Sequence, residues 1–600
     1  MKRFVLTILL LFSGVLVLLF PIERPEYFWQ PFQAVSFFQG TIYEFSLIYG
    51  IFVLIALFSS RYITNDHSGF YTGAIIAGFF ALVSSCFWII KLSQPALASF
   101  DAGGESYSSY LISQQHLVSS NGNFGYFDFP GLSILGSFLS LMTGLDVSVV
   151  AKIFLVFGIT VLSISIYLYL AKSLKKFDRA LIISVLVMMG NITLYSLGYF
   201  RPDTLGLFFF IPLFLMISFE DNLLGSGTTQ ALLIVLFFGL VLASFIYTVG
   251  FFLMFASINV ISRLKKSSVR VQMRVLLVML ISAAGVRFLL NFDYAFIPTG
   301  LIISRLQELF TNPLSLFSFS SVSSFQVAYT GPSNPTWVTA TRLIWLGVIG
   351  IGIIVGISEF IWSVFKKRRL SSYEVKEISC LVGAFVLALL MLPLDNGANR
   401  TVTVFLLLTS FFGIIIFSNF AEKLIPKLAS LIREPRVARL ANMSVAIIII
   451  VVLSLPSFFA LNPTPNTDYI YPEESSALSF TSVHFSQQTP VFTDVNTVLL
   501  FSYYIPSIFP NYINYFPDPR GEFTPISVSN YFDVIVPQFM SSYFQSSGGV
   551  FFFSPRITQN ALSTWGISPS NQTWTNLKEG LMLTDLVYQN GFNFAYWSGH

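Results

Sequence analysis

Apolar residues run along the chain in blocks of about 20, each set off by a short polar or charged connector. A helix needs about that length to cross the hydrocarbon core, and backbone amides left without partners there are prohibitive. The pattern predicts thirteen membrane-spanning helices at roughly 3–21, 43–60, 70–91, 147–171, 180–198, 203–219, 229–245, 246–262, 274–291, 338–365, 377–394, 400–419 and 443–461. The pair 229–262 is one 34-residue apolar stretch, interrupted at Tyr247-Thr248-Val249-Gly250, and is read as two spans.

Charge placement tests that division. With the N-terminus cytoplasmic and every block crossing, 22 of the 33 Lys and Arg fall in inner segments, among them Lys172, Lys175, Lys176, Arg179 and the run Lys366 to Arg369. The outer loops between spans hold Arg24, Arg201, Arg305 and Arg400. Cytoplasmic loops carry such an excess of cations. Merging 229–262 into a single span would put the later basic clusters on the wrong side. The first block follows Lys2-Arg3 like a secretory leader, but it ends at Pro21-Ile22-Glu23 without a small-residue cleavage pattern, so it is read as a retained helix.

Composition agrees. Of the 600 residues 54% are hydrophobic and 10% charged, against about 25% charged in a soluble domain. The net charge of +4 is far too small for a nucleic-acid binder of this size. Cys86 and Cys380 lie in apolar runs, which offers neither a disulfide framework nor a cysteine zinc site, and four histidines make a histidine-rich metal centre improbable.

The expected architecture is a polytopic α-helical membrane domain over 1–461 and a small extracytoplasmic α/β domain over 462–600. Polar mass gathers outside, in loop 92–146, loop 292–337 and the tail. No P-loop and no dinucleotide-binding glycine motif is present. In the tail, Pro490–Val495, Gly549–Ser554 and Asn593–Trp597 read as strands, and Thr497–Tyr504 and Leu577–Tyr588 as helices. Asn571-Gln572-Thr573 forms a glycosylation sequon.

Candidate chemistry concentrates in loop 92–146. Asp101 and Glu105 follow the third span, His116 comes next, and Tyr126-Phe127-Asp128-Phe129-Pro130-Gly131 leads into an apolar segment, Leu132–Met142, that returns to the membrane surface. A carboxylate beside lipid headgroups sits at low dielectric, which suits a general base; a pair of solvated loop acids is the other reading. Asp101 with Glu105 or Asp128 could hold one divalent ion such as Mg or Mn through oxygen ligands, although the spacing assigns no metal site.

Asp101 near a helix exit, the turn Tyr126 to Gly131, and an apolar helix closing in Thr143-Gly144-Leu145 together resemble the C-type (GT-C) integral-membrane glycosyltransferases. Arg201-Pro202-Asp203 and the tail segments Pro472 to Leu478, Val491 to Asp494 and Val587 to Gly591 are also similar to that superfamily. Two departures are visible: two spans precede the one leading into the acidic loop, and the acid-x-x-histidine spacing common in relatives is absent, because Gly104 stands in the histidine's place three residues after Asp101. The resemblance implies transfer of a sugar from a polyprenyl-phosphate or dolichyl-phosphate donor to a glycan, lipid or protein acceptor at the outer face of the cell membrane. It makes Asp101 the base. Glu105, His116 and Asp128 would be lesser substrate-binding residues.

The departing lipid phosphate needs positive charge. Arg201 and Arg400, at outer span ends, and Arg305, in the outer loop, are the candidates, because a guanidinium holds phosphate oxygens bidentately; nonspecific contact with lipid phosphates is the other reading. Lys152, Arg287, Arg342 and Glu359 lie within spans but close to their ends; they face a cavity or a partner, or they snorkel to the interface, which their position favours. Loop 292–337, with amphipathic Leu301–Phe310 and Ser/Phe-rich Leu314–Phe325, reads as an interfacial cover or an inert loop. Tyr503, Tyr504, Tyr512 and Tyr515 could stack on sugar or fill a domain core. The competing functions are a transporter or lipid flippase and a non-catalytic envelope scaffold. A transporter would be expected to show paired broken helices, which the sequence lacks, and mid-span ionisable groups, of which it has few.

Overall fold

A computed structural model describes residues 2–20, 43–87, 89, 108–110, 112–113, 131–190, 202–219, 227–265, 273–290, 336–366, 372–391, 405, 408–418, 420, 476–477, 480, 483–484, 491–493, 513–515, 549–553, 585–589 and 594–598; structural statements concern these. Its helices are α1 (Lys2–Leu19), α2 (Tyr43–Ser60), α3 (His67–Ser85), α4 (Gly131–Thr143), α5 (Val147–Leu174), α6 (Phe177–Met188), α7 (Pro202–Phe219), α8 (Gly227–Ala243), α9 (Phe245–Lys265), α10 (Met273–Leu290), α11 (Thr336–Phe365) and α12 (Ser372–Met391). A further helix, α13 (Leu408–Ser418), lies in the expected span 400–419. The span expected at 443–461 is outside the described residues.

Four of these helices, α3, α5, α9 and α11, contain stretches long and apolar enough to cross a membrane, and shorter apolar helices surround them. The protein is a polytopic α-helical membrane protein. α1 is a packed member of the bundle, with Leu10, Ser13 and Val17 buried. Its Gly14 lies against Phe79 and Val83 of α3, while Phe4, Phe12 and Leu19 face outward.

The long apolar stretch 229–262 does divide, at Ser244, three residues before the interruption expected from sequence. Phe237 and Phe251 lie 5.8 Å apart between ring centroids. Fourteen residues of continuous helix would separate them by about 21 Å, so the chain reverses there and α8 and α9 form a hairpin. Thr248 bridges the corner, donating its hydroxyl to the Ser244 carbonyl at 2.7 Å.

Helices approach closely where a side chain is missing. A Cβ on Gly383 of α12 would fall 2.8 Å from the Met254 Cα of α9, and Gly352 of α11 sits against the Gly413 backbone of α13. Small residues permit this in membranes, where dispersion and close packing hold helices together. Stacked rings fill the centre of α2 and α3, with Phe45 and Phe87 4.1 Å apart and Phe52 and Phe80 5.2 Å apart.

Turns flanked by basic residues gather at one end. Asn65, in the α2–α3 turn, accepts a hydrogen bond from the Phe177 amide at 3.2 Å, at the α5–α6 turn. At the same end of α5, Tyr169 donates its hydroxyl to Glu377 of α12 at 3.1 Å.

In the tail, β1 (Val491–Thr493), β2 (Ile513–Tyr515), β3 (Gly549–Phe553), β4 (Asp585–Gln589) and β5 (Phe594–Ser598) form a sheet of order β2-β1-β3-β5-β4. β1 is parallel to β2 and β3, and β5 is antiparallel to β3 and β4. This bears out the three expected strands and corrects the helix expected over Leu577–Tyr588. Its last residues, Asp585 to Tyr588, pair with β5, since the ladder satisfies backbone groups that local helical periodicity had seemed to claim.

Candidate active site

Every residue assigned to the site from sequence, Asp101, Glu105, His116, Asp128, Arg201, Arg305 and Arg400, lies outside the described residues, as do Tyr503, Tyr504, Tyr512 and the loop elements Leu301–Phe310 and Leu314–Phe325. The structure does describe the framework from which several of those segments depart, at the rim opposite the Asn65–Phe177 end.

α4 is the apolar helix expected after the acidic loop, and its two faces are distinct. Leu132, Ser133, Gly136 and Ser137 are buried on the bundle, where small side chains let the helix lie close. Ile134, Phe138, Leu141, Met142 and Leu145, spaced three and four apart, are exposed. An outward apolar face on a helix packed through small residues suits contact with lipid. Its end is a left-handed cap: Gly144 has φ +69°, its amide donates to Ser140 O at 2.8 Å, and the Ser140 hydroxyl donates to Leu145 O at 2.6 Å. Asp146 then opens α5, its carbonyl accepting from Val149 and Val150 at 3.0 Å.

Two of the sequence motifs come together at the tip of the α8–α9 hairpin. Gly131, which directly follows Phe129-Pro130, lies so close to α8 that a Cβ there would be 2.8 Å from Leu242 O. Gly206, in the first turns after Arg201-Pro202-Asp203, lies against the same tip, where a Cβ would be 2.6 Å from Tyr247 Cδ2 and 2.9 Å from Ser244 Cβ. The helix leaving the acidic loop and the helix leaving the arginine-proline corner therefore start at one place.

α3 brings the other end of the acidic loop to the same rim. It runs antiparallel to α5, with Gly73 against Tyr167, Ala77 accepting from Ser163 at 3.2 Å, and Gly78 against Ile164. Continued, that register sets the end of α3 beside the first turns of α5. There α3 closes with a π-helical turn at Cys86, Phe87 and Ile89, a departure that tends to mark functional places in helices. Tyr49 ties this end together, pairing with Ser84 at 3.2 Å and donating to Met189 Sδ, just after α6, at 3.1 Å. In the loop, Ser108, Ser109, Ile112 and Ser113 are buried, and the Ser113 hydroxyl donates to Tyr110 O at 2.6 Å.

The intramembrane charges separate into kinds that the sequence did not distinguish. Lys152 and Glu359 are half-buried, in keeping with snorkelling, and the side chain of Arg287 is outside the description. Arg342 is 4% exposed, which corrects its reading as a snorkelling residue. Lys376 and Glu377, taken from sequence as a loop cation and a span boundary, are buried at 1% and 7% exposure because α12 begins five residues early, at Ser372. Among the described residues no three His, Cys, Asp or Glu side chains gather as a metal site. Both cysteines are free.

No family model matches the sequence, and no curated protein matches it. Among solved structures, the chain is similar to ArnT from Cupriavidus metallidurans in the apo state, at 12% identity over 88% of this chain and 98% of that one, with a TM-score of 0.49. The same protein bound to undecaprenyl phosphate gives 12% identity over 89% and 99%, with a TM-score of 0.47. The Archaeoglobus fulgidus oligosaccharyltransferase tethered with an acceptor peptide containing the NVT sequon gives 12% over 88% and 74%, with a TM-score of 0.46. At this identity and these scores the chemistry has to be argued from the residues of this chain.

Proposed function

We propose that the protein is a membrane glycosyltransferase of the C type, transferring a sugar from a polyprenyl-phosphate donor to a hydroxyl or amide acceptor at the extracytoplasmic face. One observation carries this reading: the start of α4, the start of α7 and the α8–α9 tip meet at one rim, with the end of α3 on the same side. The described helix ends from which the segments bearing Asp101, Asp128 and Arg201 continue therefore lie on one side, beside a helix with an exposed apolar face. A lipid-borne donor needs that combination, since its phosphate stays at headgroup depth while its chain remains in the leaflet.

In this reading Asp101 accepts the acceptor's proton as that group attacks the anomeric carbon, and the sugar–phosphate bond breaks with its electron pair leaving on the lipid phosphate. Arg201 and Arg400, with Arg305 as a further cation, stabilise the departing phosphate, while Glu105, His116 and Asp128 contact substrate. The carboxylate oxygens of Asp101, Glu105 and Asp128 would suit Mg or Mn, and no step here depends on such an ion. The C-terminal sheet belongs on the same face, where it meets the acceptor.

The test is incubation of the purified full-length protein with polyprenyl-phosphate sugars and candidate acceptors, read by mass spectrometry. Asp101→Asn keeps the shape and removes the base, and transfer should fall by about 10²- to 10⁴-fold with the thermal midpoint unchanged. Unaltered transfer would remove Asp101 from this role. Lipid movement across the bilayer without sugar transfer would favour a flippase.

A further inference from the structure

Arg342 lies on α11 (Thr336–Phe365), 24 residues before Lys366. At the α-helical rise this is about 36 Å, slightly more than the roughly 30 Å of the hydrocarbon core. If the Lys366 to Arg369 cluster marks one interface, Arg342 stands at the phosphate depth of the opposite leaflet. An arginine at that depth ordinarily turns outward to headgroups, yet Arg342 shares the buried face of α11 with Thr341 and Trp345, while Leu343 and Ile344 face the lipid. Arg342, Thr341 and Trp345 each have an interaction within the chain.

Helix packing fixes what lies beside it. α11 and α13 run parallel, with Ile349 O 3.1 Å from a Cβ built on Gly413, and Ile416 3.1 Å from one built on Gly356. Continuing that register brings Arg342 level with Phe405, just before α13. One turn further along, Leu408 lies 3.9 Å from a Cβ on Gly250, close to the start of α9 and hence to the tip where α4 and α7 begin.

We infer that Arg342 is a phosphate-binding residue for the lipid-linked substrate, gripping the phosphate of a polyprenyl phosphate that enters beside α11 with its chain still in the leaflet. The inference rests on the reading of the protein as a polyprenyl-phosphate-dependent transferase, and it adds to the rim a cation fixed by the fold. A planar guanidinium offers paired donors to two phosphate oxygens, which a lysine cannot reproduce.

The test uses the full-length protein in nanodiscs of neutral phosphatidylcholine, with binding of undecaprenyl phosphate followed by native mass spectrometry. Arg342→Gln should weaken binding by about tenfold to a hundredfold, raise KM for the donor more than it lowers kcat, and leave the thermal midpoint in place. Arg342→Lys, which keeps the charge and loses the fork, should fall between the two and serves if the glutamine variant does not fold. Equal binding by wild type and a folded variant would overturn the assignment. Equal competition by phosphatidylglycerol or by inorganic phosphate would overturn it as well, in favour of a general lipid-phosphate or free-phosphate site. Failure of the wild type to bind undecaprenyl phosphate would instead bring down the transferase reading on which it rests.

Discussion

At the residue scale, the most consequential polar contact is the one from Tyr169 to Glu377, because both groups are buried and they join α5 to α12. A carboxylate in that setting is stable only while its oxygens are solvated by donors. Tyr169→Phe removes one donor without changing the packing against Phe214, whose ring lies 5.5 Å away. The expected cost is about 1–3 kcal/mol, seen as a lower unfolding midpoint in detergent. Donor binding at the opposite rim should stay within a few-fold of wild type. A large loss of binding at unchanged stability would show that the two ends are coupled. Sequence reasoning missed this pair because it drew the helix boundary at Glu377 itself. The error was one of five residues, but it moved Lys376 from loop to interior and Glu377 from a span boundary to the buried second turn of α12.

At the scale of elements, the junction of α7 with the α8–α9 tip is the joint on which the candidate site depends. Gly206 is required there because a methyl group would meet the Tyr247 ring and the Ser244 side chain, both within 3 Å. Gly347, on the lipid-facing side of α11, has nothing within 4 Å. Gly206→Ala should therefore destabilise by about 1–3 kcal/mol and reduce sugar transfer, while Gly347→Ala should be neutral or slightly stabilising. Thermal unfolding and the transfer assay, run on both variants, check this contrast. α4 was legible beforehand as an apolar helix returning to the membrane surface. Its small-residue face was not assigned, since only the neighbours decide which side of a uniformly apolar helix is buried.

At the scale of the whole molecule, the arrangement makes a prediction about sides. Arg61 and Lys176 flank turns joined through Asn65 and Phe177, whereas Leu145 lies at the opposite end of α5. In a background lacking Cys86 and Cys380, cysteines at 61 and 176 should react with an impermeant thiol reagent from one face of sealed vesicles, and a cysteine at 145 from the other. Labelling of all three from one face would refute the topology. The sequence by itself determined that the chain crosses the membrane repeatedly, roughly where most of the described helices begin and end, and that 229–262 is two helices. Those properties follow from local transfer free energy and from the charge of short connectors, both carried by consecutive residues. Only the tertiary structure decided that the starts of α4 and α7 share a hairpin tip, that Arg342 turns inward, and that Asp585–Gln589 is a strand. Each depends on groups far apart in the chain, whose mutual burial or pairing no local stretch encodes. The chemistry assigned to Asp101 and its companions came from the sequence resemblance. What the fold added is that the described starts of α4 and α7 and the end of α3 lie at one rim.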